Sequence, residues 1–387
     1  MNFGGRTEFH YNHQWKKIGI EAIVGGEYQK TSGVYRSYKM YGGVLGDHTS
    51  DNFIATQQAN IFTQWNILLP KSIKVTAGLS SNFLNYNISD KLANSSNPTH
   101  NDASGEKNFA PILTPRLAVQ KVFNKHISAY VNASKGYSPP TASNVVIPYT
   151  GQVNTSLKSE IGMQYEIGSK GSLLDNKLSW QVALFSLNVN DKLSSQSVID
   201  SGVVLYSYAI NAGDQKNNGM EISLSYLVMN NPKNITSYLR PFASFTCSKF
   251  NYNAFKSDNN NNANTKDYSG NTVIGVPPIL FNAGIDVATK WGVYFNSSFQ
   301  YVDDMYLTFD NKHSAPAYSL LSAKIGYKKS LGKHFDLNVF AGGNNLTNSL
   351  YYNMVFVNWQ KGSQPSIYSP GSFTPTFFGG LNLKYNF

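Results

Sequence analysis

The stretch FFGGLNLKYNF, from Phe377 to Phe387, alternates without a break. Phe377, Gly379, Leu381, Leu383, Tyr385 and Phe387 fall on one side of an extended chain, and Phe378, Gly380, Asn382, Lys384 and Asn386 on the other. Successive strand side chains point to opposite faces, so this is one apolar and one polar face. The run stops on an aromatic with no hydrophilic tail, although chain ends are usually loose and polar. An apolar face kept to the last residue needs apolar surroundings there.

The same period of two governs most of the sequence, and no helical period competes with it. Ile18, Ile20, Ala22 and Val24 share a face, as do Ile73, Val75, Ala77 and Leu79. Ile127, Ala129, Val131 and Ala133 repeat the pattern, followed by Ile161, Met163, Tyr165 and Ile167. Later come Met220, Ile222, Leu224 and Tyr226, then Val293, Phe295, Phe299 and Tyr301. Leu321, Ala323, Ile325 and Tyr327 precede Phe335, Leu337, Val339 and Ala341. Opposite faces carry Lys, Asn, Ser, Gln, Glu and Gly. The alternating stretches often run ten to fourteen residues, against about five or six in ordinary globular sheets.

Connections alternate between short and long. Short ones fall near Lys16-Lys17, Leu69 to Lys71, Asn124-Lys125, Gly168 to Lys177, Met229 to Asn234, Thr289 to Gly292 and Lys328 to His334. Long ones are expected at about Gln29 to Asn52, Ser89 to Pro111, Gly136 to Lys158, Tyr252 to Val276, Val302 to Pro316 and Asn348 to Phe373. Long structureless loops are uncommon in compact soluble domains. They are ordinary on one rim of a transmembrane barrel. Tyr28, Trp65, Tyr86, Tyr301 and Tyr327 stand near strand ends, where interfacial aromatic girdles would lie. The pattern therefore predicts an all-β chain forming a transmembrane antiparallel β-barrel wall. The competing architecture, a soluble sandwich or propeller, would bury its apolar faces against a second sheet.

Composition excludes several classes. Charged residues are 14% and aromatics 14% of the 387 residues, where about 25% charge is usual. The net charge is +10, but the basic residues are scattered and form no stripe for nucleic acid. One cysteine, Cys247, permits neither an intrachain disulfide nor a cysteine zinc cluster. No segment approaches the roughly 20 apolar residues of a membrane helix, and the first residues have no apolar signal-peptide core. No nucleophile elbow, zincin pair, P-loop or dinucleotide fingerprint occurs. No catalytic, cofactor-binding or metal-ligating residue is assigned, and the chain is read as a non-enzyme.

Four stretches resemble one family. "ASKGYSPPT" (Ala133 to Thr141) is similar to the strand-end signature of TonB-dependent outer-membrane receptors, an aromatic-rich Ser-x-Gly followed by Pro-Pro. "LKSEIGMQYEIGSKG" (Leu157 to Gly171) resembles their Leu-Lys-Pro-Glu segment, with Ser159 in the proline place. "NAGDQKNNGMEISL" (Asn211 to Leu224) resembles the Asn-Ala-Gly segment, and "GGNNLTNSLYY" (Gly342 to Tyr352) the Asn-Leu-x-Asp signature, with Asn348 in the Asp place. The resemblance implies a barrel of twenty-two strands with an N-terminal plug. About fifteen strands are counted here, with Val203 to Tyr226 read as one long strand kinked at Gly213 and Gly219. Residues 1–387 are thus expected to be the C-terminal portion of such a barrel, lacking the plug, the TonB-binding segment and the signal peptide. An odd antiparallel count leaves the first and last strands as unpaired edges or a forced parallel contact, so this chain alone is expected neither to close nor to transport.

The resemblance also implies a function and partners. The location is the bacterial outer membrane. The activity is energy-coupled import of a ferric siderophore or similar scarce ligand, with a passive porin-like channel, or a cobalamin or glycan receptor, as alternatives. Partners are that ligand, outer-membrane lipid, the TonB complex through the plug, and the β-barrel assembly machinery. The family's terminal assembly signal maps onto Leu383, Tyr385 and Phe387. No metal ligand set is visible, so iron would arrive already chelated. Aromatics stack on rings and Arg pairs with oxyanions, which makes the loop residues the ligand-binding candidates. These are Tyr35, Arg36, Tyr38 and Tyr41, then Tyr137 and Tyr149, then Tyr306, Phe309 and His313, and finally Tyr351, Tyr352 and Trp359.

Overall fold

The computed structural model describes residues 1–92, 102–147, 152–200, 203–258, 265–358, 366–372 and 374–386. Among these residues fifteen long strands follow one another as an antiparallel meander. They are β1 (Asn2–Trp15), β2 (Ile18–Tyr41), β3 (Val44–Leu69), β4 (Ile73–Asp90) and β5 (Gly105–Asn124). Next come β6 (Ile127–Ser138), β7 (Glu160–Leu173), β8 (Leu178–Asp200), β9 (Val203–Tyr226) and β10 (Thr236–Asp258). The last five are β11 (Ile279–Thr289), β12 (Val293–Val302), β13 (Tyr318–Leu331), β14 (Phe335–Asn344) and β15 (Thr376–Tyr385). Each pairs with its sequence neighbour, and among the described residues no ladder joins β1 to β15. Val203–Tyr226 is indeed one strand. At Gly213 its φ is +151°, and a Cβ there would run into the Ala254 carbonyl, so the bend requires glycine.

One end of the wall is closed by tight turns. Lys16, Lys71, Ser72, Leu174, Asp175 and Asn176 all adopt positive φ there, as two- to four-residue hairpin turns demand. The other end is longer and more varied. The connection expected from Gln29 to Asn52 is instead a continuation of the ladder. β2 and β3 stay paired to Tyr41 and Val44 and reverse at Gly42 and Gly43, at φ +59° and +87°. Period-two residues such as Val34 and Tyr35 are compatible with strand or loop, and only the partner strand makes them ladder. The connection after β6 carries a four-residue helix, α1 (Ala142–Val145). Three more connections fold back as short hairpins. Thr265–Asp267 pairs with β10, Met305–Tyr306 with Ser314–Ala315, and Tyr352–Asn358 with Ser366–Pro370.

Register sorts the two faces. Ala77, Trp65 and Ala22 stand in one row, and Val131, Ile167, Leu184 and Met220 in another. These rows form the outward apolar band, where Ile61, Leu117, Ile167, Ile325 and Leu381 are more than half exposed. The inward face is polar and cross-bonded. Thr76 donates to Asn66 at 2.8 Å, Tyr130 to Glu166 at 2.6 Å, and Arg240 to Asp286 at 2.6 Å. Inward aromatics repeatedly sit opposite a glycine and lie flat across it. Phe62 covers Gly25, Tyr130 covers Gly168, Phe242 covers Gly284 and Tyr294 covers Gly326. The rings thus bury a face without filling the lumen. One residue expected in the girdle lies on the other face. Tyr86 belongs to the inward row, is 4% exposed, and donates its hydroxyl to the Pro140 carbonyl at 2.7 Å. Its even position on β4 puts it opposite Phe83 and Asn85, which face outward.

Candidate functional site

The four motif stretches converge on joints where wall becomes loop. Pro140, at the end of β6, anchors to Tyr86. The segment that follows drives Val145 and Val146 into a small core with Ile54, Leu84, Tyr86 and Ile88. Farther on, Asn154 donates to the Ala209 carbonyl at 2.7 Å and Lys107 reaches the Thr155 carbonyl. The β6–β7 connection is therefore a strap from the upper ends of β3–β5 to β9. Burial pushes the Tyr86 phenol up to about 12.

Two motifs meet at a bulge in β8. Its register slips between Val189 and Lys192, with Asp191 at φ +55°, and the freed backbone groups need partners. Glu160 accepts from Leu193 N–H at 2.7 Å and from Lys192 Nζ at 2.9 Å. Asn211 donates to the Asp191 carbonyl at 2.6 Å and to the Lys158 carbonyl at 3.0 Å, while accepting from Lys158 N–H. Asp214 accepts from Asp191 N–H at 3.1 Å. The fourth motif makes a similar knot. Asn345, buried and at φ +53°, bonds Ser349 through both its amide groups and also donates to the Ser372 carbonyl. Thr347 and Ser349 both donate to the Ser319 carbonyl of β13.

The candidate ligand residues separate into groups on this rim. On the β2–β3 extension, Arg36 bonds Asp51 at 3.1 Å, and that carboxylate holds its guanidinium above the usual value. Tyr38 meets His48 edge-on at 4.5 Å, while Tyr35 and Tyr41 are exposed. Tyr137 ends β6 half-buried. Tyr306 and His313 lie half-buried on the hairpin after β12, where their carbonyls accept from Gly275 and Leu307. Tyr351 packs on Tyr318 at 5.3 Å, and Tyr352 beside it is half-buried. Tyr149 and Trp359 lie outside the described residues, as does Phe387. Leu383 and Tyr385 point outward on β15, 57% and 48% exposed.

Phe309 belongs to a cluster that sequence reasoning did not assemble. It packs at 4.8 Å on Phe255, 5.7 Å on Tyr268 and 6.0 Å on Tyr252. Tyr252 and Phe255 stack at 4.6 Å, although three positions apart on a strand they should face opposite ways. A bulge between Tyr252 and Ala254 turns them to one side. The spacing Tyr-x-x-Phe, which breaks the period of two, is the signal that marks it. Asn311 locks the two loops together, accepting from Thr272 N–H at 2.8 Å and donating to the Thr272 carbonyl. Burial raises the Tyr252 phenol, and the Ser269 hydroxyl and amide hold the exposed Asp267 carboxyl below its usual value. Among the described residues no three His, Cys, Asp or Glu side chains converge as a metal site.

Residues 1–346 match the family described as TonB dependent receptor-like, beta-barrel. The ferric-catecholate import receptor Fiu of E. coli K12 superposes with a TM-score of 0.69 at 15% identity, over 100% of this chain and 54% of its own. The siderophore receptor PiuA of Acinetobacter baumannii gives 0.72 at 16% identity, over 100% and 56%. The copper transporter OprC gives 0.70 at 14%, over 100% and 58%. At such identities the likeness is one of fold. The chain spans a little over half the length of these structures.

Proposed function

The chain belongs to the TonB-dependent receptor-like β-barrel family, a family of outer-membrane transport receptors, and from that premise we propose that it forms the ligand-facing wall of a receptor importing a ferric siderophore. The observation that carries this reading is the asymmetry of the wall. A polar, hydrogen-bonded inner face rises to one rim of long connections, and that rim holds the aromatic and basic side chains.

Exposed Tyr35 and Tyr41 offer stacking faces for a catecholate or similar ring. Arg36, already tied to Asp51, stands on the opposite face of the β2–β3 ladder from Tyr35 and offers its remaining N–H groups to an oxyanion approaching from that side. Residues 1–387 form one barrel domain in this reading, set in the outer membrane by its apolar band. A plug would meet the polar inner face, and TonB would act through that plug. The names of Fiu and PiuA favour an iron complex over the copper of OprC.

Uptake of labelled ferric chelates by a strain lacking the gene tests the substrate. Loss of energy-dependent uptake of one ferric siderophore is expected. Unchanged uptake of every ferric chelate, with loss of copper, cobalamin or glycan uptake, would reassign the ligand.

A further inference from the structure

Positive charge that is scattered along the sequence is gathered by the meander at one rim. Each of the seven short connections, from Lys16-Lys17 after β1 to Lys333 after β13, contains lysine. Together these connections hold eight lysines and a single carboxylate, that of Asp175. The seven connections of the opposite rim hold five lysines and five aspartates, and so carry no net charge. The turn end therefore accounts for most of the chain's net charge of +10.

All eight turn lysines are exposed, and among the described residues none of them forms an ion pair. Lys16 and Lys71 are themselves corner residues, at φ +52° and +62°, where glycine or asparagine meets a smaller conformational cost. A cation held at a corner in spite of that cost points to a use for the charge. The last ladder pairs before the turns are apolar, as in Trp15–Ile18, Leu173–Leu178 and Leu331–Phe335. The lysines thus lie beyond the apolar band, off the end of the wall.

Their spacing selects among anions. Successive turns are two strands apart, about 10 Å at about 4.8 Å per strand, so the seven span an arc of about 60 Å. A single headgroup or small anion meets one turn at a time. A folded acidic partner burying about 800 Å² would cover about three turns and would leave the lysines of the others unused. A chain-like polyanion engages all of them, adding weak contacts through multivalency.

Resting on the outer-membrane reading above, in which short turns face the periplasm, we propose that the turn rim docks on the carboxylate-bearing peptide-glycan polymer of the cell wall beneath the membrane. The lysines form a regular row of cations, and the free carboxylates of the polymer's peptides are their counter-charges. The uncharged loop rim leaves the opposite face without this attraction.

The full chain, assembled in neutral-lipid nanodiscs that leave both rims accessible, is sedimented with purified cell-wall sacculi. Co-sedimentation is expected at about 0.1 M salt and at least about tenfold less at about 1 M, because the Debye length falls from about 10 to about 3 Å. Sacculi whose carboxylates have been converted to amides are expected to retain none of it. The triple variant Lys125→Gln/Lys177→Gln/Lys233→Gln should bind at least about threefold more weakly, three exposed ion pairs being lost. Lys91→Gln/Lys266→Gln/Lys312→Gln removes the same charge from the loop rim and should bind like the unaltered chain. Equal binding to amidated sacculi, or equal losses in the two triple variants, would overturn the proposal. Full displacement from sacculi by phosphatidylglycerol vesicles of matched charge would do so too, by assigning the rim to lipid headgroups. A chain that assembles in nanodiscs but ignores sacculi sinks this inference alone; one that does not assemble sinks the membrane reading with it.

Discussion

Glu160 shows why a carboxylate is needed in a motif whose contacts are with the wall itself. It satisfies Leu193 N–H and Lys192 at the β8 bulge, with its side chain only 13% exposed. An amide can replace one acceptor but not the charge, and hydrogen bonds to charged groups are worth about 1.5–3 kcal/mol. Glu160→Gln is therefore expected to destabilise the folded protein by about 1–2 kcal/mol, and urea unfolding followed by gel migration would measure it. The neighbouring Ser159 gives an internal control. Its buried hydroxyl has no partner among the described residues, so Ser159→Ala is expected to be neutral or slightly stabilising. Equal losses for both variants would show that the joint responds to any change rather than to the lost charge.

Among elements, the strands are held by register more than by a core. Each inward ring that lies across a glycine fixes the offset of two strands, because a slip by one residue would set it against a side chain. Gly284 lies under Phe242, and a side chain there would occupy the ring's place. Gly284→Leu is expected to cost about 1–3 kcal/mol, the range of overpacked sites. Gly5→Ala, where nothing stands within 4 Å of the added carbon, should change stability by less than about 0.5 kcal/mol. Thermal loss of the heat-modifiable form would compare the two variants.

For the whole molecule, stability is divided between an apolar band facing outward and small cores in the rim, one around Tyr86 and Val145 and one around Phe255. The second makes two sequence-distant loops a single body. Truncating the 1%-exposed Phe255 to alanine removes the ring that touches Tyr252, Tyr268 and Phe309. A buried Phe→Ala change costs about 3–5 kcal/mol, here charged to the loops rather than to the wall. Hydrogen exchange is expected to show residues 265–278 and 305–313 losing protection together, with the Tyr318–Tyr351 contact region unchanged. Independent loss in one loop alone would refute the single-body description.

The wall was legible in the sequence because a strand's faces follow from a period of two. That period assigns Ile161, Met163, Tyr165 and Ile167 to one side, and together with the alternation of short and long connections it puts the strand count at about fifteen, as found among the described residues. The motif stretches also carry the family resemblance, and in this chain their residues serve local backbone needs at the joints. The rim was not legible. Arg36 looks like a free cation in the sequence, and only the β3 partner strand brings Asp51 to it. Tyr86 stands in the even, inward row of β4, which the period of two already sets, but only the β6–β7 connection brings the Pro140 carbonyl to its hydroxyl. Tyr252 and Phe255 share a side only because one bulge shifts the pairing. Periodicity is a property of one chain segment and can be read from it. Register, bulges and loop-to-loop packing depend on residues tens of positions away, so those were decided by the tertiary structure.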